Sequence, residues 1–503
     1  MQQPTLTHKF TVGGPDSMAI VGCKGPTRNG VFDILRAEAG LKQHCNTNGD
    51  SSWAHLRASA WTLLSLTCAG CSVEVTPSDT RAVGSEQTSV GGDVEIFSWW
   101  TSGGEQDALD ALAAVHRERV PSADVQNRAV EFATKAREQL LVRFAEGLPP
   151  DIFQTNAGQD LFSWVITNGD TTKDSLVEDL SDLYEARGWY DVFNEDVLAQ
   201  VMVNNKPYAV PVNIHRINSL FYRNDLFEKY SLKLPHSLPE LEKLCEEISE
   251  NDELQDESPT GRVSCLALGN KWNWTLAMMA FEMILPAVGG ADYYLNYLEG
   301  DEHALDPEVL ETLSWVQKFY CGKEPGDCPS SGWFNPDVND RTWDEAVLKL
   351  TDGQALMAPA GDWAKGLLQS EGLSPGEDFD VIPFPGTEDM HVFTVDTFVL
   401  PKGAVNRDGA RSFLRTVGSR EGQIAFNPVK GSVPARIDVD EADFDPVAQS
   451  AMEHFGNATR IPAMSALLAG DARAGLEAEL TASMKVGNTD IVKRYLSANY
   501  PLE

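Results

Sequence analysis

The chain is poor in histidine and in basic side chains. Nine His in 503 residues leave little material for metal sites or proton relays, and no Cys/His spacing suggests zinc. Lys and Arg number 40 against 75 Asp and Glu, for a formal net charge of −35. Phosphate backbones would be repelled, which excludes non-specific nucleic-acid binding. No run of 18 or more apolar residues occurs, so no transmembrane helix is expected. The GxSxG elbow, the HExxH helix, the Walker A loop and GxGxxG are all missing, and there is no 20–50-residue repeat. What is present is core material: 42% hydrophobic residues, 9% aromatics and 12 Trp. That composition belongs to a folded chain rather than an acidic disordered one. The length allows about three domains of ~150 residues, or two large lobes.

The charge is uneven. Residues 1–85 hold six acids and seven bases, so residues 86–503 carry −36. Acidity spread through a whole folded region is expected of a protein adapted to high salt, where screening removes self-repulsion. Residues 1–50 lack periodicity. Arg57 then precedes a short apolar run, Ala58 to Cys68, and the small residues Ala69-Gly70 precede Cys71. A basic start, an apolar stretch and small residues before a cysteine make a secretory signal with a lipidation site at Cys71. Residues 72–92, rich in Ser, Thr and Gly, suit a flexible tether. Four of the 8 cysteines lie beyond it. Cys321 and Cys328 flank a Gly/Pro turn and either close a small disulfide loop or remain free thiols.

From Asp93 onward strands alternate with helices. Asp93–Trp100, with Val94, Ile96 and the aromatics around Phe97, reads as a strand, Glu105–Arg119 as a helix, 123–125 as the start of a strand, 130–146 as a helix and 148–154 as a strand. That spacing predicts βαβ units and a parallel sheet. Further helices are expected at 239–250, 307–320, 404–417 and 447–455, and an extended strand at 205–213. Asn251 to Thr260 reads as an acidic solvated loop.

A set of segments then becomes informative together: Phe97-Ser98-Trp99-Trp100 with Glu105, Leu148-Pro149-Pro150-Asp151, Asn156-Ala157-Gly158 and Pro211-Val212-Asn213-Ile214-His215-Arg216. Gly361-Asp362-Trp363-Ala364, Val395-Asp396-Thr397-Phe398 and the stretch Asn427 to Arg436 follow. In this order the chain resembles the extracellular sugar-binding proteins of ABC importers, of the glucose/mannose type, over roughly 93–503. The resemblance implies an α/β, bilobal periplasmic-binding-protein fold, with two α/β lobes, a hinge and an interlobe cleft. It implies a small sugar ligand and docking on ABC permease subunits. It implies no cofactor, no metal, no nucleic-acid partner and no enzymatic activity. The expected layout is a leader over 1–71 with the signal at 57–71, and a tether over 72–92. One lobe is expected from 93–210 plus 352–405, the other from 211–351 plus 406–503. The mature protein is expected to be a monomer on the extracellular face of the membrane, touching it only through the lipid on Cys71.

A sugar ring has weakly apolar C–H faces and a rim of directional hydroxyls. Its site needs flat aromatics for the faces and charged or amide groups for the rim. Trp99 and Trp100 end a strand before a helix, a normal place for ligand contacts, and Trp100 is the first choice for stacking. Strand neighbours face opposite sides, so one of the pair can be core. Glu105 is a hydroxyl acceptor or a helix-dipole partner. Trp363 is a second stacking candidate, Asp362 an acceptor or a helix cap, Asp396 the best acceptor and Lys430 a donor from a turn. Asn156 stands where relatives place a polar or basic residue. Asn213 and His215 lie where the chain crosses between lobes. Trp272 and Trp274 offer an outer subsite. The segment Ser465 to Gly470 lacks a histidine that relatives carry, which removes a donor. The alternatives are a glycoside-acting enzyme, using a pair such as Asp362 and Asp396, and a sugar-sensing receptor subunit with the same cleft.

Overall fold

Val94, Ile96 and Phe97 are 4% exposed or less, and they make one strand of a mixed five-stranded sheet. The computed structural model describes residues 92–502, apart from 102, 167–173, 258–261, 323–327 and 330–331. It also describes two short strands, Arg36–Ala37 and Gly40–Leu41, paired with each other. The signal at 57–71, Cys71 and the tether up to residue 91 lie outside the described residues. Residues 88–503 form one compact unit.

In the first sheet the strand order is Val125–Asn127, Val94–Phe97, Ile152–Asn156, Asp396–Val399, Val210–Pro211. Its first three strands are parallel, as the alternation of strands and helices predicts. Asp396–Val399, which returns from the other lobe, runs antiparallel to both its neighbours, Ile152–Asn156 and Val210–Pro211. A second sheet orders Ser264–Leu266, Ala355–Ala360, Ser219–Tyr222 and Asp380–Pro383. The first sheet packs on one buried apolar cluster, of residues from 94 to 214 and from 393 to 455; the second has a large cluster, from 217 to 392 and from 461 to 502, and a smaller one from 221 to 379. The bilobal α/β architecture is therefore present.

The lobe boundaries differ from expectation. Residues 352–392 belong with the second lobe: the all-buried strand Ala355–Ala360 finds its antiparallel partner in Ser219–Tyr222. Helices Arg407–Val417 and Arg420–Lys430 pack in the first lobe, through Phe413, Leu414 and Phe426. The chain crosses three times, and the crossings pair as a small sheet of His215–Arg216, Met390–Thr394 and Thr459–Pro462. Crossings fall where strands pass from one core into the other, and the sequence periodicity does not mark them.

Helix bounds lie near expectation: Gly103–Arg119, Leu238–Glu250, Pro307–Cys321 and Pro446–Asn457. The helix expected from 130 begins only at Ala133 and ends at Ala145. The stretch 205–213 breaks into Lys206–Pro207 and Val210–Pro211, and a short helix, Asp252–Glu257, interrupts the expected loop. Trp274–Glu299 is long and apolar enough to cross a membrane, although it contains no uninterrupted run of 18 apolar residues; most of it is buried in the second lobe's core.

Two disulfides brace the second lobe. Cys321 and Cys328 are joined. So are Cys245 and Cys265, a pairing the sequence did not suggest; it ties helix Leu238–Glu250 to strand Ser264–Leu266. Closing its 20-residue separation restricts the unfolded chain by about 3 kcal/mol in the loop-entropy picture.

Candidate functional site

A cavity of about 270 Å³ opens between the lobes, near the lower end of the ~300–1,000 Å³ usual for small-molecule sites. Trp99, Trp100, Glu105, Asn156, His215, Trp363, Asp396 and Lys430 border it. Two of the expected site residues, Asp362 and Asn213, do not; both stand behind His215 and hold it.

The tandem tryptophans divide their work. The strand ends at Phe97, and Trp99 is left half-buried on the cavity wall, its N–H donating to Gln154 Oε1 at 3.3 Å. Trp100 is fully buried, edge-on to Phe398 at 5.7 Å and tilted on Phe426 at 5.3 Å. This reverses the expected ranking. Trp100 has no ring face free for stacking, because Lys430 Nζ lies 5.4 Å from its centroid and phenylalanines hold the rest. Its buried Nε1–H has no hydrogen-bond partner among the described residues, so its polar edge remains.

Lys430 is not in a turn. It is the last residue of helix Arg420–Lys430, and Gly431 (φ 89°) ends that helix in the left-handed conformation. A lysine at a helix C-terminus meets the negative end of the dipole. Its Nζ donates to Glu105 Oε1 at 2.7 Å, in the first turn of Gly103–Arg119. Burial raises the Glu105 pKa, and the Lys430 charge opposes that shift.

Asp396 starts its strand, and its carboxylate is crowded with donors. Gln154 Nε2 reaches Oδ1 at 3.1 Å, while His215 Nε2 and Asn213 Nδ2 each reach Oδ2 at 3.0 Å. Asn213 Oδ1 accepts from the Asp396 N–H at 2.9 Å. The other His215 nitrogen, Nδ1, is hydrogen-bonded to Asp362, whose second oxygen accepts from the Arg216 N–H at 2.9 Å. A ring between two carboxylates donates from both nitrogens only as imidazolium. Burial pushes the His215 pKa down, but the Asp362 charge and the two hydrogen bonds outweigh it, for a net rise. Burial likewise works against ionised Asp396; its bond to His215 and the nearby charges of His215 and Lys430 win, holding it down to about 2.

The second lobe supplies a wall of aromatics. Trp363 meets His215 edge-on at 5.2 Å and neighbours Trp274 and Trp343 at 6.1 and 6.3 Å. Its ring folds back over Gly361, where a Cβ would come within 2.3 Å of it; this is the physical reason for the Gly361-Asp362-Trp363 order. Asp362 takes the N-cap position of that helix, but its side chain makes no cap bond there. Trp272 and Trp274 both border the cavity. Trp272 stacks on Phe132 of the first lobe at 5.5 Å, with Lys135 Nζ 4.0 Å above its ring.

The sequence reading missed Glu282, Trp343, Met464, Arg473 and Glu477, all on the cavity wall. Arg473 lies three residues beyond the segment noted for lacking histidine. It reaches across to Asp160 of the first lobe at 3.1 and 3.2 Å, and Asn156 Nδ2 donates to the same carboxylate at 3.2 Å. The donor missing from 465–470 is thus matched by one a turn later. A signal existed, the i,i+4 pair Arg473/Glu477 on helix Gly470–Lys485, but such pairs are common on surfaces.

The model of the bacterial extracellular solute-binding protein family matches residues 119–454. The chain belongs to that family. Of the relatives of this solute-binding protein, an uncharacterised ABC transporter extracellular-binding protein of Pyrococcus horikoshii is 31% identical over 402 residues. That match covers 78% of this chain and 82% of the other. The xylose/arabinose-binding protein XacG of Haloferax volcanii is 27% identical and covers 70% and 71%. The solved structure of the bacterial solute receptor AcbH, described as having an exclusive preference for β-D-galactopyranose, shares the fold. Its TM-score is 0.68 at 16% identity, over 82% of this chain and 98% of that one. The family is one of binding proteins. Asp362, which a glycoside-cleaving pair with Asp396 would need, is bonded to His215 and does not border the cavity.

In this solute-binding protein the lobes meet at glycines. A Cβ on Gly158 would lie 2.4 Å from Ala466 Cα, and one on Gly104 would lie 2.6 Å from the Gly366 carbonyl carbon. Each pair joins one lobe to the other, so the cavity is bounded by direct backbone contact.

Proposed function

We propose that this solute-binding protein takes a small sugar, most simply a glucose-type monosaccharide, outside the cell and hands it to the permease of an ABC importer. The observation that carries the reading is the cavity lining. Trp99 and Trp363 are half-buried aromatic faces, while Asp396, Glu105, Lys430, His215 and Asn156 form a rim of donors and acceptors. An uncompensated hydroxyl partner costs ~1–3 kcal/mol, so such a rim discriminates between epimers. The modest volume favours one ring over a long oligosaccharide. Relatives named for sugar binding and for ABC transporters support the transport role. Lipid attachment at Cys71, a monomeric state and the high-salt habitat belong to the same proposal.

The test is a melting-temperature screen of the full chain against D-glucose, D-galactose, D-xylose, L-arabinose and maltose, followed by calorimetric titration of any hit. A bound sugar stabilises the native state by mass action. A rise with one monosaccharide and none with its epimer is the expected result. No rise with any sugar would sink the reading, and turnover of a chromogenic glycoside would replace it with an enzyme.

A further inference from the structure

Helix Trp274–Met278 does not run straight into Leu285–Glu299. A π-helical stretch, Met279–Ile284, joins them. Such insertions are uncommon and cluster at functional positions, because the extra residue turns a side chain out of the α-helical register. All six residues are buried, and in Met-Ala-Phe-Glu-Met-Ile the one charged side chain is Glu282, 6% exposed. It borders the interlobe cavity from the second lobe.

Glu282 is poorly compensated for a buried carboxyl. Oε1 accepts from the Met464 N–H at 2.7 Å. Among the described residues no cationic side chain hydrogen-bonds to it. Arg473, the nearby cation, is bonded to Asp160 and lies 3.7 Å from Glu477 Oε1. The Tyr294 hydroxyl, on the helix that follows, donates to Pro462 O at 3.0 Å. A carboxyl left so in an apolar wall costs free energy unless a donor arrives, and the open side is the cavity.

We propose that Glu282 is a ligand-contacting carboxylate that accepts a hydrogen bond from a sugar hydroxyl on the second lobe's wall, with Glu477 and Arg473 beside it. The inference rests on the sugar reading above and deepens it. Glu105 and Lys430 grip from the first lobe; Glu282 grips from the second. A ligand hydroxyl there makes binding conditional on both walls. The charged groups facing Glu282 are Glu477 and Arg473 on helix Gly470–Lys485, with Asp160 behind them. Burial raises Glu282 to about 7, the Met464 N–H and Arg473 pull it back, and Glu477 adds to the rise. Burial also raises Glu477 to about 7, against Arg473 and with Asp160. A hydroxyl donates best to the ionised form, so binding strengthens as pH rises through about 7.

The experiment is calorimetric titration of the full chain with D-glucose, D-galactose and D-xylose between about pH 5.5 and 8.5. Wild type is compared with Glu282→Gln and, separately, Glu477→Gln. Gln keeps an oxygen for Met464, and the ligand-free melting temperature of each variant reports that it folds. The tightest sugar is expected to gain several-fold in wild type across the range. In Glu282→Gln the expectation is an affinity lower by about tenfold at the alkaline end, a loss of ~1.4 kcal/mol, and a flattened profile. Binding within about twofold of wild type at every pH, with the profile unchanged, overturns the proposal and leaves the sugar reading standing. If wild type binds none of these three and none of the other sugars screened above, the sugar reading and this inference fall together.

Discussion

His215 Nε2 lies 3.0 Å from Asp396 Oδ2 at the point where the chain crosses from one lobe to the other. The bond ties the binding rim to the hinge, since His215 belongs to a crossing strand and Asp396 begins the first lobe's return strand. Asp396, held down to about 2, contributes stability that is fully present above the usual carboxylate pKa. That contribution is lost as pH falls from about 4 toward 2 and is worth roughly 2 kcal/mol. His215, with its raised pKa, contributes below about 6.5 and loses that contribution as pH rises through its higher native value. Asp396→Asn should therefore flatten the acid limb of stability, measured by denaturant unfolding at stepped pH. Asp396→Ala should weaken sugar binding by about tenfold, ~1.4 kcal/mol. Unchanged affinity would remove Asp396 from the site.

Trp99 and Trp100 give opposite outcomes when truncated. Trp100 is wholly buried against Phe398 and Phe426, and Trp100→Ala should cost about 3–5 kcal/mol of stability through the cavity it leaves. Trp99 is half-buried on the site wall. Trp99→Ala should cost little stability but about 1–2 kcal/mol of binding, in line with loss of an aromatic platform. Melting curves and titration of the two variants check the pair. Equal losses of stability would mean that both rings are core.

Much of this was legible in the sequence, and what was missed shares a cause. Alternation of strands and helices is a local pattern, so the parallel part of the first sheet followed from it. Asp396, Glu105, Lys430 and Trp363 stand in short segments whose order carried the family resemblance. The return strand Asp396–Val399, the hinge crossings and the Cys245–Cys265 bridge depend on partners far away in the chain, which no local window registers. Glu282 was hidden differently: it reads as one acid in a buried apolar helix, and only the π-helical offset explains its place. Trp100 outranked Trp99 because alternation says that neighbours face opposite sides without saying which side is the cleft.

Gly158 tests closure directly. Its φ of 73° already favours glycine, and an added Cβ would sit 2.4 Å from Ala466 Cα in the opposite lobe. Gly158→Ala should keep the lobes apart, lowering sugar affinity by about tenfold or more. Solution scattering should show the sugar-saturated variant wider than wild type. Gly456→Ala is the control. Gly456 is exposed on helix Pro446–Asn457 with nothing within 4 Å of an added Cβ, so that change should be neutral or stabilising by up to about 1 kcal/mol. If Gly158→Ala binds as wild type does, the Gly158–Ala466 contact is incidental to closure.

Salt separates the two uses of charge in this protein. With 75 acids against 40 bases, ion pairs leave a large excess of carboxylates, and their repulsion weakens as the Debye length falls from ~10 Å at 0.1 M to ~3 Å at 1 M. Exposed pairs such as Arg117–Asp124 lose some attraction in the same range, but each is worth only ~0–1 kcal/mol. Repulsion therefore dominates, and the melting temperature should rise between about 0.1 and 1 M KCl. The partly buried pairs Lys430–Glu105 and Lys365–Asp445 are less open to screening than exposed ones, and the proposed ligand is neutral. Sugar affinity, measured at a temperature where both samples are folded, should stay nearly constant across the same series. A melting temperature that falls with KCl would mean that the exposed pairs outweigh the excess charge. An affinity that falls with KCl would mean that the ligand carries charge of its own.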